Sequence, residues 1–222
     1  ILIGLKKPKD AESCLRKTIE LKPDYMQAYL NLGKLLRDSD KLIEAETFIR
    51  KAIELNPKVS ASYSILGTIL TDMEQLKEAE QSIRKAIKLE PNNAIDYSNL
   101  GAILIGLRKS REAEPFIRKA IEIKPDYANA YYNLGNLLKD IDQLVEAETY
   151  TRKAIELRSD YADAYKNLSL LLYAKGDRTL AFKNIEKAFS CNPNSKEIQL
   201  LLYILRSRID KTKFTIKDVS YT

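Results

Sequence analysis

Residues 128–161 read ANAYYNLGNLLKDIDQLVEAETYTRKAIELRSDY. In the first half, apolar residues at Tyr131, Leu134, Leu137, Leu138 and Ile141 recur at spacings of three and four, which is one face of an α-helix. The polar stretch Asp140-Ile141-Asp142-Gln143 interrupts that face, and Leu144, Ala147, Tyr150, Thr151, Ala154 and Ile155 resume it. Two antiparallel helices joined by a tight turn follow from this pattern.

The same sentence is written several times along the 222 residues. Prolines fall at Pro23, Pro57, Pro91, Pro125 and Pro193, a period of 34 with one slot taken by Ser159. Gly33, Gly67, Gly101 and Gly135 keep the period, as do Ala11, Ala45, Ala79, Ala113, Ala147 and Ala181. A fixed period of this length means stacked copies of one helix pair, each burying its apolar face on its neighbours. We place full repeats at 26–59, 60–93, 94–127, 128–161 and 162–195, a partial repeat at 1–25, a terminal helix at 196–208 and a tail at 209–222. Proline cannot continue a helix, so it marks the end of each second helix. A mid-helix glycine costs about 1 kcal/mol against alanine, so we read the glycines as places of close helix approach, facing the periodic alanines. The third repeat is unusual, with Pro115 inside its second helix, Gly106 at the end of its first, and Ser110 where Leu42, Leu76 and Leu144 stand elsewhere. A local irregularity is expected there.

Tyr29-Leu32-Gly33-Leu36-Ala45-Ile49-Ala52-Pro57 and its copies beginning at Tyr63 and Tyr97 resemble the tetratricopeptide repeat. That family's pattern is an aromatic, Leu-Gly, a large residue, then Ala, an aromatic, Ala and Pro. The fourth copy keeps Tyr131, Leu134, Gly135, Leu138, Ala147 and Ala154; the fifth has Ser169 in place of glycine. The resemblance implies an all-α, right-handed solenoid whose first helices line a concave groove and which binds other polypeptides without catalysis. Within the family, the superhelical region of O-linked N-acetylglucosamine transferases carries an asparagine ladder, and this chain looks similar.

Composition narrows the chemistry. With no histidine, imidazole acid–base work and His-ligated metal sites are excluded, and no phosphate-cradling glycine loop is present. No catalytic residue, cofactor or metal site is expected. Net charge is +6, but Arg50, Arg84, Arg118 and Arg152 each follow a glutamate by four residues, a favourable helical pairing that marks a solvated face rather than a nucleic-acid stripe. Cys14 and Cys191 lie five repeats apart, beyond disulfide reach, which suits a reducing, cytoplasmic setting. No apolar run approaches the ~18 residues of a membrane span, so no membrane partner is expected.

Candidate binding residues follow from the groove that the resemblance implies. Asn31, Asn99, Asn133 and Asn167 precede the Leu-Gly register in four repeats, Ile65 interrupting in the second. Stacked repeats would set these amides roughly 10 Å apart, so each meets an extended peptide, rising about 3.3 Å per residue, at every third residue. An amide offers both a donor and an acceptor, which suits sequence-tolerant capture of an unfolded segment. The same amides suit hydrogen bonding between helices, and both roles remain open. Lys34, Arg37, Asn129, Tyr132, Asn136, Lys139, Lys166 and Tyr173 complete the candidate groove, opposed by Asp38, Asp72, Asp140 and Asp163. The carboxylate clamp of chaperone-binding relatives is missing: Tyr132, Glu197 and Leu201 stand at its basic positions. The expected partner is therefore a protein or extended peptide.

Two alternatives come from the ends. The chain starts at Ile1 in mid-repeat, from which we expect a longer parent, such as a transferase using this segment to recruit substrate. On the terminal helix Leu200, Tyr203 and Ile204 form a second apolar face beside Ile198, Leu201, Leu202 and Leu205, which suggests self-association into a homodimer. A turn is expected at Lys6-Lys7-Pro8. In the tail, Phe214-x-Ile216 and Val219-x-Tyr221 alternate, hinting at an extended segment.

Overall fold

A computed structural model describes residues 8–218. Among them the backbone forms twelve helices: α1 (Pro8–Leu21), α2 (Met26–Asp38), α3 (Leu42–Leu55), α4 (Ser60–Asp72), α5 (Leu76–Leu89), α6 (Ala94–Gly106), α7 (Ser110–Ile123), α8 (Ala128–Asp140), α9 (Leu144–Leu157), α10 (Ala162–Ala174), α11 (Arg178–Cys191) and α12 (Lys196–Asp218). The chain is an all-α array of antiparallel helix pairs. It divides into two compact units, one ending at Ile123 and the other beginning at Lys124.

Inside the first unit each helix packs on the next from α1 to α7, and the first helices of successive pairs, α2, α4 and α6, also touch. Inside the second, α8 to α12 pack in the same succession, and α8 meets α10. Apolar side chains at the repeating registers are shut off from water, including Leu32, Leu36 and Ile49 in the first pair and Leu100, Leu104 and Ile117 in the third. Each such side chain contributes about 1.5–3 kcal/mol when fully buried.

Short turns of one design close the pairs. Asp40, Glu74, Arg108, Asp142 and Gly176 all have positive φ, between 60° and 89°. The residue after each sends its N–H back to a carbonyl five positions earlier, as in Lys41 to Leu36 (2.9 Å) and Lys109 to Leu104 (2.8 Å). This is the Schellman arrangement, which satisfies the open carbonyls of a helix end. Four of the five residues held there are not glycine, although the left-handed region costs an L-residue roughly 1–2 kcal/mol. Between pairs, four residues carry the proline. Tyr29 and Tyr131 reach back six residues to donate to the carbonyls of Pro23 (3.0 Å) and Pro125 (3.1 Å). Ser159 does not disturb the pattern: α9 ends at Leu157 and α10 begins at Ala162.

Three expectations need correction. A Cβ added at Gly33, Gly67 or Gly101 would overlap Ile49, Ile83 or Ile117, at 2.5 Å for Gly67, and only the carbonyl of the periodic alanine lies behind. The glycines therefore make room for an isoleucine one turn beyond that alanine. Helix α7 is regular and, like α5, 14 residues long. Its Pro115 is exposed and, early in the helix, removes only the hydrogen bond that the Arg111 carbonyl would have accepted. Helix α12 continues to Asp218, so Phe214 and Ile216 are helical rather than extended. No proline or glycine after Pro193 stops that helix, and two alternating positions do not outweigh helical continuity. Lys6, Lys7, Val219 and Tyr221 lie outside the described residues.

Candidate functional site

In each compact unit the first helices of the pairs stand side by side, and their side chains bond across the helices. Within the first unit, Arg37 of α2 pairs with Asp72 of α4 at 2.6 Å, and the Ser64 hydroxyl of α4 donates to Asp96 of α6. Within the second, Lys139 of α8 donates to the Asn167 carbonyl of α10 at 3.1 Å, and Lys166 of α10 pairs with Glu197 of α12 at 2.8 Å. These bonds define one polar face per unit, made by α2, α4 and α6 in the first and by α8, α10 and α12 in the second.

Most of the groove residues read from the sequence belong to these faces, in unequal states. Asn31 is half-buried and accepts from Gln27 (3.0 Å), while Lys34 is exposed. Asn99, Asn133 and Asn136 are half-buried. Asn136 hydrogen-bonds Tyr132, whose ring packs 5.0 Å from that of Tyr161, and burial raises the Tyr132 hydroxyl pKa. Asn129 makes only a long contact, 3.5 Å, to the Tyr127 hydroxyl. Tyr173 is half-buried under Arg208, whose guanidinium lies 5.7 Å from the ring. Asn167 is different: it is 2% exposed, held by Lys139 and by a 3.5 Å contact to Thr151. Burial alone would lower the pKa of Lys166, but Glu197 and then Asp163 more than offset it, so the ammonium stays charged.

The opposite face, made by the second helices, is laced with ion pairs. Arg16 bridges Glu12 (2.8 Å) and Glu44 (2.5 Å); Arg50 bridges Glu46 (2.7 Å) and Glu78; Arg84 bridges Glu80 (2.9 Å) and, more loosely, Glu112 (3.9 Å). In the second unit Glu148 takes both Lys175 (2.6 Å) and Arg152 (2.8 Å), which hold its carboxyl below the usual range against the effect of burial. Arg16, Arg50 and Arg84 thus each join their own helix to the next second helix.

One functional-looking group escaped the sequence reading. Asp96 is fully buried, and its second carboxylate oxygen has no hydrogen-bond partner. Burial raises its pKa, Ser64 opposes that by donating a hydrogen bond, and the negative Glu90 nearby adds to it. No helix among the described residues is long and apolar enough to cross a membrane.

Comparisons with known proteins follow the same registers. The pattern described as tetratricopeptide repeat matches residues 27–59, 60–93 and 97–127, and a second, described as TPR repeat, matches 118–141. No curated protein sequence matches the chain. Among solved structures, YrrB, described as a TPR protein with an unusual peptide-binding site, is 26% identical over 84% of this chain and 95% of its own, with a TM-score of 0.57. TTC0263, a thermophilic TPR protein of Thermus thermophilus, is 18% identical over 81% of this chain and 98% of its own, with a TM-score of 0.74. A chain of the APC/C hetero-tetramer Cut9–Hcn1 is 16% identical over 92% of this chain and 41% of its own, with a TM-score of 0.82. With its helix pairs, glycine registers and turns recurring every 34 residues under those matches, the chain belongs to the tetratricopeptide repeat family.

Proposed function

We propose that this chain is a non-catalytic scaffold that holds an extended polypeptide against the polar face of its first helices. The observation that carries the reading is the side-by-side setting of these helices within each unit, with half-buried amides at Asn99 in the first and at Asn133 and Asn136 in the second. Rigid helices hold such amides in place before binding, so little conformational entropy is lost when a peptide backbone meets them. The likeness to YrrB, a protein described by its peptide-binding site, points the same way. Peptides selected on the full chain from a random display library provide the test. Asn133→Ala with Asn136→Ala is expected to weaken them about tenfold per folded molecule, the worth of one or two hydrogen bonds. Unchanged affinity in that variant, with the peptide bound elsewhere, would overturn the reading. Asn167→Ala serves as the contrast, because its buried amide acts between helices and its loss should lower stability.

A second reading concerns α12. Leu200 and Tyr203 are 61% and 71% exposed, and Ile204 stands beside them on the same face. Self-association through this stripe is expected to give a dimer mass in light scattering that falls to the monomer value in Leu200→Lys/Ile204→Lys. A mass that does not respond would exclude the stripe.

A further inference from the structure

The second repeat departs from its neighbours at one register of its second helix. In the first, third and fourth repeats that register holds Phe48, Phe116 and Tyr150. Each ring packs on the tyrosine of the paired first helix, with centroids 6.1 Å apart for Tyr29–Phe48 and 6.3 Å for both Tyr97–Phe116 and Tyr131–Tyr150. The fifth repeat has Asn184 there, and it packs Phe182 and Phe189 with Tyr165 in one cluster. The second repeat keeps the tyrosine, Tyr63, but offers only Ser82 across from it. Where the ring is missing, a pocket of about 380 Å³ opens, lined by Ile53, Tyr63, Leu66, Ser82 and Lys85 among others.

We propose that this pocket is a recognition site separate from the polar face of the first helices, and that it takes an aromatic side chain of a partner polypeptide with a carboxylate beside it. Its volume falls in the range of sites that bury small ligands, roughly 300–1,000 Å³. Ring-on-ring packing against Tyr63 is the interaction that three sister repeats make with their own residues. Charge supplies the second half of the specificity. The other charged groups of the lining are paired, Arg50 with Glu46 and with the lining's Glu78, and Glu54 with Lys51, whereas the Lys85 ammonium makes no ion pair among the described residues and stands 6.0 Å from the Tyr63 ring centroid. A carboxylate next to the incoming ring would meet that cation, and the ring would meet the tyrosine beneath it. The proposal does not depend on the groove reading, because the pocket uses none of the amides of the polar face and can fail or succeed alone.

The experiment titrates acetyl-Phe-Asp-amide into the ¹⁵N-labelled full chain. Amide shifts centred on Tyr63, Ser82 and Lys85 are expected, and acetyl-Ala-Asp-amide should not produce them. Ser82→Phe fills the pocket from within and should weaken the probe at least tenfold. Lys85→Glu, an exposed change that leaves folding intact, should reverse the preference to acetyl-Phe-Lys-amide. Shifts absent from Tyr63, undiminished binding to a folded Ser82→Phe chain, or a Lys85→Glu chain with the original preference would each overturn the proposal.

Discussion

Ile117→Ala should lower the stability of the first compact unit by about 3–4 kcal/mol, within the range for emptying a fully buried isoleucine site. Ile117 is completely shielded from water and occupies the space that a side chain on Gly101 would need. The two positions are therefore coupled, and with opposite signs. In the parent chain Gly101→Ala forces a Cβ into Ile117; overpacking costs about 1–3 kcal/mol and the better helix former returns about 1. In the Ile117→Ala background the clash is gone, and the same substitution should stabilise by about 1 kcal/mol. The fifth repeat shows how such a Cβ is accommodated: Ser169 stands at the glycine register, buried, and its hydroxyl donates to the Ala181 carbonyl at 2.7 Å. Urea unfolding of the four chains of this cycle gives the coupling directly. Additive effects would show that Ile117 does not fill the space left by Gly101.

Asp96→Ala should raise stability by about 2 kcal/mol at pH 7, the order of the penalty for burying an unsatisfied polar group. The other repeats already hold small residues at this register, Ala28, Ser62, Ala130 and Ala164, all buried. An acid in the first turn of α6 gains from the helix dipole, but that is worth only about 0.3–1 kcal/mol. The pH dependence fixes the sign. Burial raises the Asp96 pKa in the folded chain, so above the unfolded value, about 3.9, the folded state holds a proton that the unfolded state releases. The contribution of Asp96 is thus most favourable in acid and declines as pH rises through the folded pKa. The advantage of Asp96→Ala should accordingly grow from pH 4 to pH 7, and ordinary denaturant curves at the two values measure it. A variant less stable than the parent at pH 7 would mean that the buried carboxylate is satisfied by a partner.

The helix array was legible in the sequence because period, glycine, alanine and proline all report the same packing. Other features were not. Four of the five left-handed turn residues are Asp, Glu or Arg, and their conformation is imposed by returning N–H bonds that no residue type announces. The partner of the glycines was misread, since alanine and isoleucine share one face of the second helix and only the turn between them decides which one fits. Asn167 looked like its sisters in sequence. Its burial depends on Lys139 one repeat earlier and on Thr151, which replaces the isoleucine of the other repeats. Asp96 and Ser82 are departures within a column, and their meaning rests on what the neighbouring columns place opposite them.

The bridging arginines have a consequence for how such a chain can be cut and rejoined. Arg50 reaches forward to Glu78 as Arg84 reaches toward Glu112. Splicing out residues 60–93 would set Arg50 against Glu112, rebuilding the same joint from new pieces. Segment 60–93 is therefore an exchangeable cassette with matching ends, and Asp96 is the burr on one edge: it would lose Ser64, whose hydroxyl now donates to it.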